Sequence, residues 1–127
     1  MINLSIIFIC LAASCNATMD VISFHYYDSI FAKLNSQYFD PSVSWKNKYI
    51  DGNPSKDRKK WLFGFINKPV AFTDFWHLMK SLMVIFICAS ISLFKTDGLL
   101  TSFVSFCIMG VFWNLTFNLF YNNILKK

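Results

Sequence analysis

Asp74 and His77 stand three residues apart in the stretch FTDFWHLMK, with Lys80 three further on, at the threshold of a long apolar run. At helical spacing the carboxylate and the imidazole share one face. Joined by Asp20, they make a small set suited to acid–base work or to holding a divalent metal. A histidine with carboxylates can bind zinc or a harder divalent ion, and the activated water would attack an ester or phosphoester. His25 would add a ligand only if the helix carrying Asp20 broke near Phe24, because a continuous helix turns it away from Asn16 and Asp20. A plainer role is the favoured expectation. Asp74 caps a helix amino terminus, His77 and Trp76 sit at headgroup level, and Lys80 snorkels.

The elements that would position these groups belong to a membrane. The chain is 55% hydrophobic and 19% aromatic, with 15 phenylalanines, no glutamate and only 15% charged residues. A soluble globule carries about 25% charged residues, so that class is disfavoured. One membrane domain, 1–127, is expected, with spans at about 2–24, 75–94 and 99–121. The turn Lys95-Thr96-Asp97-Gly98 should fold the last two spans into an antiparallel hairpin. Cys10, Cys15, Cys88 and Cys107 lie in apolar stretches without metal-ligand or redox spacing and read as packing residues. LAASC resembles a lipoprotein signal ending at Cys15. No basic residue precedes the apolar run, however, and Ala12 stands where such a signal has a leucine-like side chain. The expectation is therefore an uncleaved span.

Residues 25–74 carry Lys33, Lys46, Lys48, Lys56, Arg58, Lys59, Lys60 and Lys68, whereas the amino-terminal flank has no basic side chain. This bias places the loop in the cytoplasm, the amino terminus outside and the carboxy terminus, with Lys126 and Lys127, inside. Within the loop, Phe24, Tyr27, Phe31, Leu34 and Tyr38 share a helical face and predict an amphipathic helix on the membrane surface. Trp45, Lys46, Lys48, Tyr49, Lys59, Lys60 and Trp61 interleave aromatic and basic side chains, as a segment against anionic headgroups does. Membrane anchoring already accounts for that composition, so no nucleic-acid partner is expected.

Each span carries a stripe of small and polar residues. Ser5, Ala12, Asn16, Asp20 and Ser23 form the first; Asp74, His77, Ser81, Cys88 and Ser92 the second; Gly110, Asn114, Asn118 and Tyr121 the third. In lipid such stripes turn toward one another, with Asn16, Ser81, Gly110, Asn114 and Asn118 as packing residues. The predicted fold is all-α, an integral membrane three-helix bundle with an amphipathic interfacial helix in its long cytoplasmic loop. Asp20 would then meet Asp74 and His77 at the inner end of the seam, the only candidate catalytic site, because ionisable groups at membrane depth are costly.

The segments CNATMDVISFH, SIFAKLN, FDPSVSWKNKY and FTDFWHLMK, in this order, resemble a group of small, uncharacterised bacterial membrane proteins, some of them phage-borne. The similarity covers about residues 10–85 and leaves the third span unmatched. It implies a multi-pass protein of the bacterial inner membrane and no particular mechanism. Three functions stay open on the residues. The first is a non-enzymatic membrane component whose loop docks on anionic lipid or an acidic partner. The second is a metal-dependent hydrolase or transferase acting on lipid at the cytoplasmic face through Asp20, Asp74 and His77. The third is a homo-oligomeric transporter or channel subunit, with Asn114 and Asn118 lining the path.

Overall fold

The computed structural model describes residues 4–93 and 98–125, without the side chains of Ser92, Leu99 and Ser102. It is mostly helical. Helix α1 spans Leu4–Phe24; the short turns α2, Ser36–Phe39, and α3, Pro41–Ser44, follow. A two-strand hairpin pairs β1, Lys60–Trp61, with β2, Ile66–Asn67. Helices α4, Phe75–Ser92, and α5, Leu99–Asn118, complete the order, and a wider π turn carries the chain on over Leu119–Leu125. Among the described residues two helical stretches, Leu4–Phe24 and Phe103–Leu125, are long and apolar enough to cross a membrane. The apolar part of α4, Phe75–Ile91, is shorter. The expected turn at 95–97 lies outside the described residues.

Helix α1 is the common partner of the other two. It packs most extensively on α4 and less so on α5. The α1–α4 pair runs antiparallel and is tied at both ends. At one end the Ser5 hydroxyl lies 2.7 Å from the Ser90 carbonyl oxygen and the Ser90 hydroxyl 2.9 Å from that of Ser5. Both serines are fully buried. At the other end the indole N–H of Trp76 donates to Ser23 Oγ over 3.1 Å. Between these ties the buried Ala12, Ala13 and Ala17 keep the side chains of α1 short. Small residues allow close backbone approach, and the reciprocal hydroxyl–carbonyl bonds satisfy both buried serine hydroxyls within the chain.

The expected polar seam is not reproduced in full. Ser5 and Ala12 are buried as predicted, but Asn16 and Asp20 are only half-buried and Ser23 is exposed. On α4 the buried partner is Ser90, outside the predicted stripe, whereas Cys88 is exposed. On α5 Gly110 is half-buried while Asn114 and Asn118 are exposed. The physical reason is that α1 is flanked by two helices and buries a wide arc. Helix α5, with one principal neighbour, leaves its amides outward.

A second correction concerns the loop. The predicted amphipathic helix over Phe24–Tyr38 is broken into short turns by side chains that bond their own backbone, which competes with helix. The Ser29 hydroxyl accepts from Phe31 N–H, Asn35 Oδ1 accepts from Gln37 N–H, and Asp40 Oδ1 accepts from Ser42 N–H with Pro41 at the first helical position. Phe31 is buried but Phe24, Tyr27 and Leu34 are exposed, so the single apolar face does not exist. The core sits instead at the loop end of the helices. There Ala17, Val21, Ile22, Tyr26, Phe31 and Leu125 are buried together, and Phe75 rests 4.6 Å from Phe39 and 5.4 Å from Phe31, ring centre to ring centre.

Candidate functional site

Two places in the structure carry functional chemistry, and both lie on or beside the loop. The first is the start of α4. Asp74 is extended, 2% exposed, and caps the helix: its Oδ1 accepts from His77 N–H at 3.0 Å. The His77 ring folds back so that Nδ1 lies 2.8 Å from Oδ1 and 2.7 Å from Oδ2. The Thr73 hydroxyl, 3.1 Å from Oδ2, also reaches the Val70 carbonyl oxygen at 2.7 Å. A carboxylate only accepts, so Nδ1 carries the hydrogen and Nε2 is the remaining ring nitrogen. His77, Asp74, Ser23, Pro41, Ser44, Trp45 and Trp76 line a cleft of about 210 Å³. The fixed imidazole tautomer suits proton transfer at Nε2, or hydrogen bonding to an anion.

The metal set expected from the sequence is not assembled. Among the described residues no three His, Cys, Asp or Glu side chains stand together as metal ligands. The structure joins Asp74 to His77 and leaves Asp20 and His25 apart from them as a ligand group. The helix does end at Phe24, as a ligand role for His25 required. His25 then turns to the α5 end, where its ring meets Tyr121 edge-on at 5.6 Å. An i, i+3 spacing reveals the Asp74–His77 pair because it lies within one helical turn. Asp20 depended on the relative rotation of two helices, which spacing does not encode.

The second place is the hairpin. Lys48–Ile50 pairs with Asp57–Lys59 through Lys59 N–H to Lys48 O, Ile50 N–H to Asp57 O and the Tyr49–Arg58 bridge. Lys68 N–H to Lys59 O then leads into β1 and β2. The turn runs through Leu62, Phe63 and Gly64, with φ of 48°, 59° and 90°. Left-handed backbone costs a non-glycine residue about 1–2 kcal/mol. Two successive large residues hold it here, and the result is display: Phe63 is 101% exposed and Phe65 86%, with Trp61, Leu62 and Ile66 also exposed. Arg58, Lys59, Lys60 and Lys68 stand on the paired strands behind this apolar tip, Lys60 exposed and the other three half-buried.

Of the residues expected at a lipid interface, Trp45, Lys46, Lys60 and Trp61 are exposed and Lys48, Tyr49 and Lys59 half-buried. Lys46 and Lys48 lie over the Trp45 ring at 5.8 and 5.9 Å, and Lys80 lies over Trp76 at 5.2 Å. Each ammonium is thus paired with an aromatic face at the rim of the His77 cleft. Leu62, Phe63, Phe65 and Ile66 escaped the sequence reading. Their signal was KKWLFGFINK, a glycine between two phenylalanines inside a basic frame, which fits a hairpin tip. Burial, and then the charges of Asp40 and Tyr27, pushes the Tyr26 hydroxyl above the usual tyrosine range. Burial, and then Asp74, does the same for Tyr38. Tyr26 Oη is a buried polar atom without a hydrogen-bond partner. No known family, curated protein or solved structure matches the chain, and its functional reading rests on this geometry.

Proposed function

We propose that the chain is a small multi-pass protein of the bacterial inner membrane, a three-helix bundle with its amino terminus outside, whose cytoplasmic loop docks on anionic lipid headgroups without catalysing a reaction. The observation that carries this reading is the hairpin: an exposed apolar tip with four cations on the strands behind it. The two long apolar helices support the membrane setting, and the basic loop supports the orientation. Burying Leu62, Phe63 and Phe65 contributes about 1.5–3 kcal/mol each. Arg58, Lys59, Lys60 and Lys68 add about 1 kcal/mol each at an anionic surface. The apolar contribution is the larger of the two, so salt weakens the docking and does not abolish it.

Full-length protein reconstituted in nanodiscs of mixed zwitterionic and anionic lipid tests the proposal. Anionic lipid is enriched around the wild type, less so at high salt, and the enrichment is lost when Arg58, Lys59, Lys60 and Lys68 are all changed to Gln. Equal lipid composition around the two proteins would overturn it.

The Asp74–His77 pair favours a second reading, a hydrolase or transferase using His77 Nε2 as base on a lipid ester or phosphoester at the cleft. Lipid turnover by the purified protein, lost in His77→Gln with melting unchanged, would establish it. Turnover that ignores the substitution, or none at all, would remove it.

A further inference from the structure

We infer that the outward face of α5 is a self-association surface and that its occupant is α5 of a second copy of this chain. Asn114 lies near the middle of the apolar stretch Phe103–Leu125, in which Leu125 at the far end is buried while Asn114 and its neighbours on this face are exposed. Its Nδ2 donates to the Gly110 carbonyl oxygen one turn back at 2.9 Å, and Asn118 repeats this on Asn114 at 2.9 Å. Both carboxamides remain exposed, and each bond uses one of the two amide hydrogens, which leaves Asn114 with a second N–H and its carboxamide oxygen turned outward. A carboxamide facing hydrocarbon is costly, and water is not there to satisfy it.

The chemistry of the face selects its partner. A carboxamide is donor and acceptor at once, so the same face of a second chain presents the complementary group at the same depth. A twofold pairing satisfies both asparagines with one set of contacts. Gly110, half-buried, stands at the edge of this face beside the cleft toward Ile9 and Ser90, and a Cβ there would meet nothing within 4 Å. Exposed Cys107 lies on the same face, one to two turns from Asn114. Helices pair this way in lipid through small residues and interhelical amides. Helices α1 and α4 have no such need, because Ser5 and Ser90 satisfy each other within the chain.

Cys107 supplies the reporter. Mild oxidation of the full-length protein in lipid bilayers at low protein-to-lipid ratio is expected to give a disulfide-linked dimer. The dimer disappears in Cys107→Ser and persists in Cys88→Ser, Cys88 being the exposed cysteine of α4. Asn114→Leu weakens the dimer about tenfold, with unchanged melting because the residue is exposed, and Asn114→Gln restores it. Cross-linking that ignores Asn114→Leu, cross-linking through Cys88 to the same extent, or one-step photobleaching of the labelled wild type would overturn the inference. Capture of a different protein in place of a second copy would overturn it as well.

Discussion

The amino-terminal corner of α4 and the tip of the hairpin share a kind of chemistry, both aromatic and ionic, yet they are built in opposite senses. At the corner the strongest group turns inward: the Asp74 carboxylate is bonded by its own helix, by the His77 ring and by Thr73. At the tip the backbone takes up a strained left-handed turn and the side chains point away from the protein. A satisfied group stabilises, whereas a displayed apolar group needs an external surface. The difference teaches that ionisable residues at the start of an apolar helix serve structure first, and that the exposed apolar residues nearby are the better guide to a partner.

The contrast can be broken most severely at the corner. Asp74→Ala removes the cap and the buried acceptor for His77, and should destabilise the protein by about 1–2 kcal/mol, visible as a lower melting temperature in detergent. Asp74→Asn, which still caps, should lose less. Substitution at the tip should do the reverse. Phe63→Ser leaves melting within about 0.5 kcal/mol, as surface changes do, while anionic-lipid enrichment falls. If Phe63→Ser unfolds the loop, the tip belongs to the structure and the comparison fails.

A smaller effect sharpens the account of the helix pair. Ser90→Ala removes one half of a reciprocal bond and should cost about 0.6 kcal/mol, the average for interhelical hydrogen bonds in membranes, measured by controlled unfolding in mixed micelles. A value near zero would mean that the Ser5 hydroxyl finds another acceptor.

The smallest effect concerns pH. Tyr26 and Tyr38 have folded-state pKa values above their ordinary value of about 10. The folded chain therefore holds these protons more tightly than the unfolded one. Stability is full below the ordinary tyrosine range and falls as pH rises beyond it toward the folded values. Tyr26→Phe should flatten part of that alkaline loss and leave neutral-pH stability unchanged or slightly higher, because it deletes a buried hydroxyl with no partner. A steeper alkaline loss in Tyr26→Phe would contradict the assignment.

What the sequence disclosed, and what it concealed, follows from the range of the interactions. Apolar length and the basic loop are local properties, and α1, α4 and α5 appear close to where they were expected. The Asp74 cap was equally local. The Ser5–Ser90 tie joins residues 85 apart, and the polar stripe of α4 points away from Ser90, which lies on the other side of the helix from Ser92, so which face meets α1 was not encoded in the spacing. The surface helix expected over Phe24–Tyr38 does not form for a legible reason: Ser29, Asn35 and Asp40 each bond their own backbone, and these local bonds outweigh the hydrophobic periodicity. The hairpin was concealed because its tip, LFGF, looks like core on composition, and only the paired backbone of Lys59–Lys68 shows it to be surface.

The docking claim is tested most directly by depth. A Phe63→Trp protein with Trp45, Trp61, Trp76 and Trp113 replaced by Phe, reconstituted in anionic bilayers, would be titrated with lipids brominated at different acyl positions. The account predicts blue-shifted emission and quenching by bromine near the headgroup boundary, weaker in zwitterionic bilayers. Emission like that of tryptophan in water, with no quenching at any bromine depth in either bilayer, would contradict it.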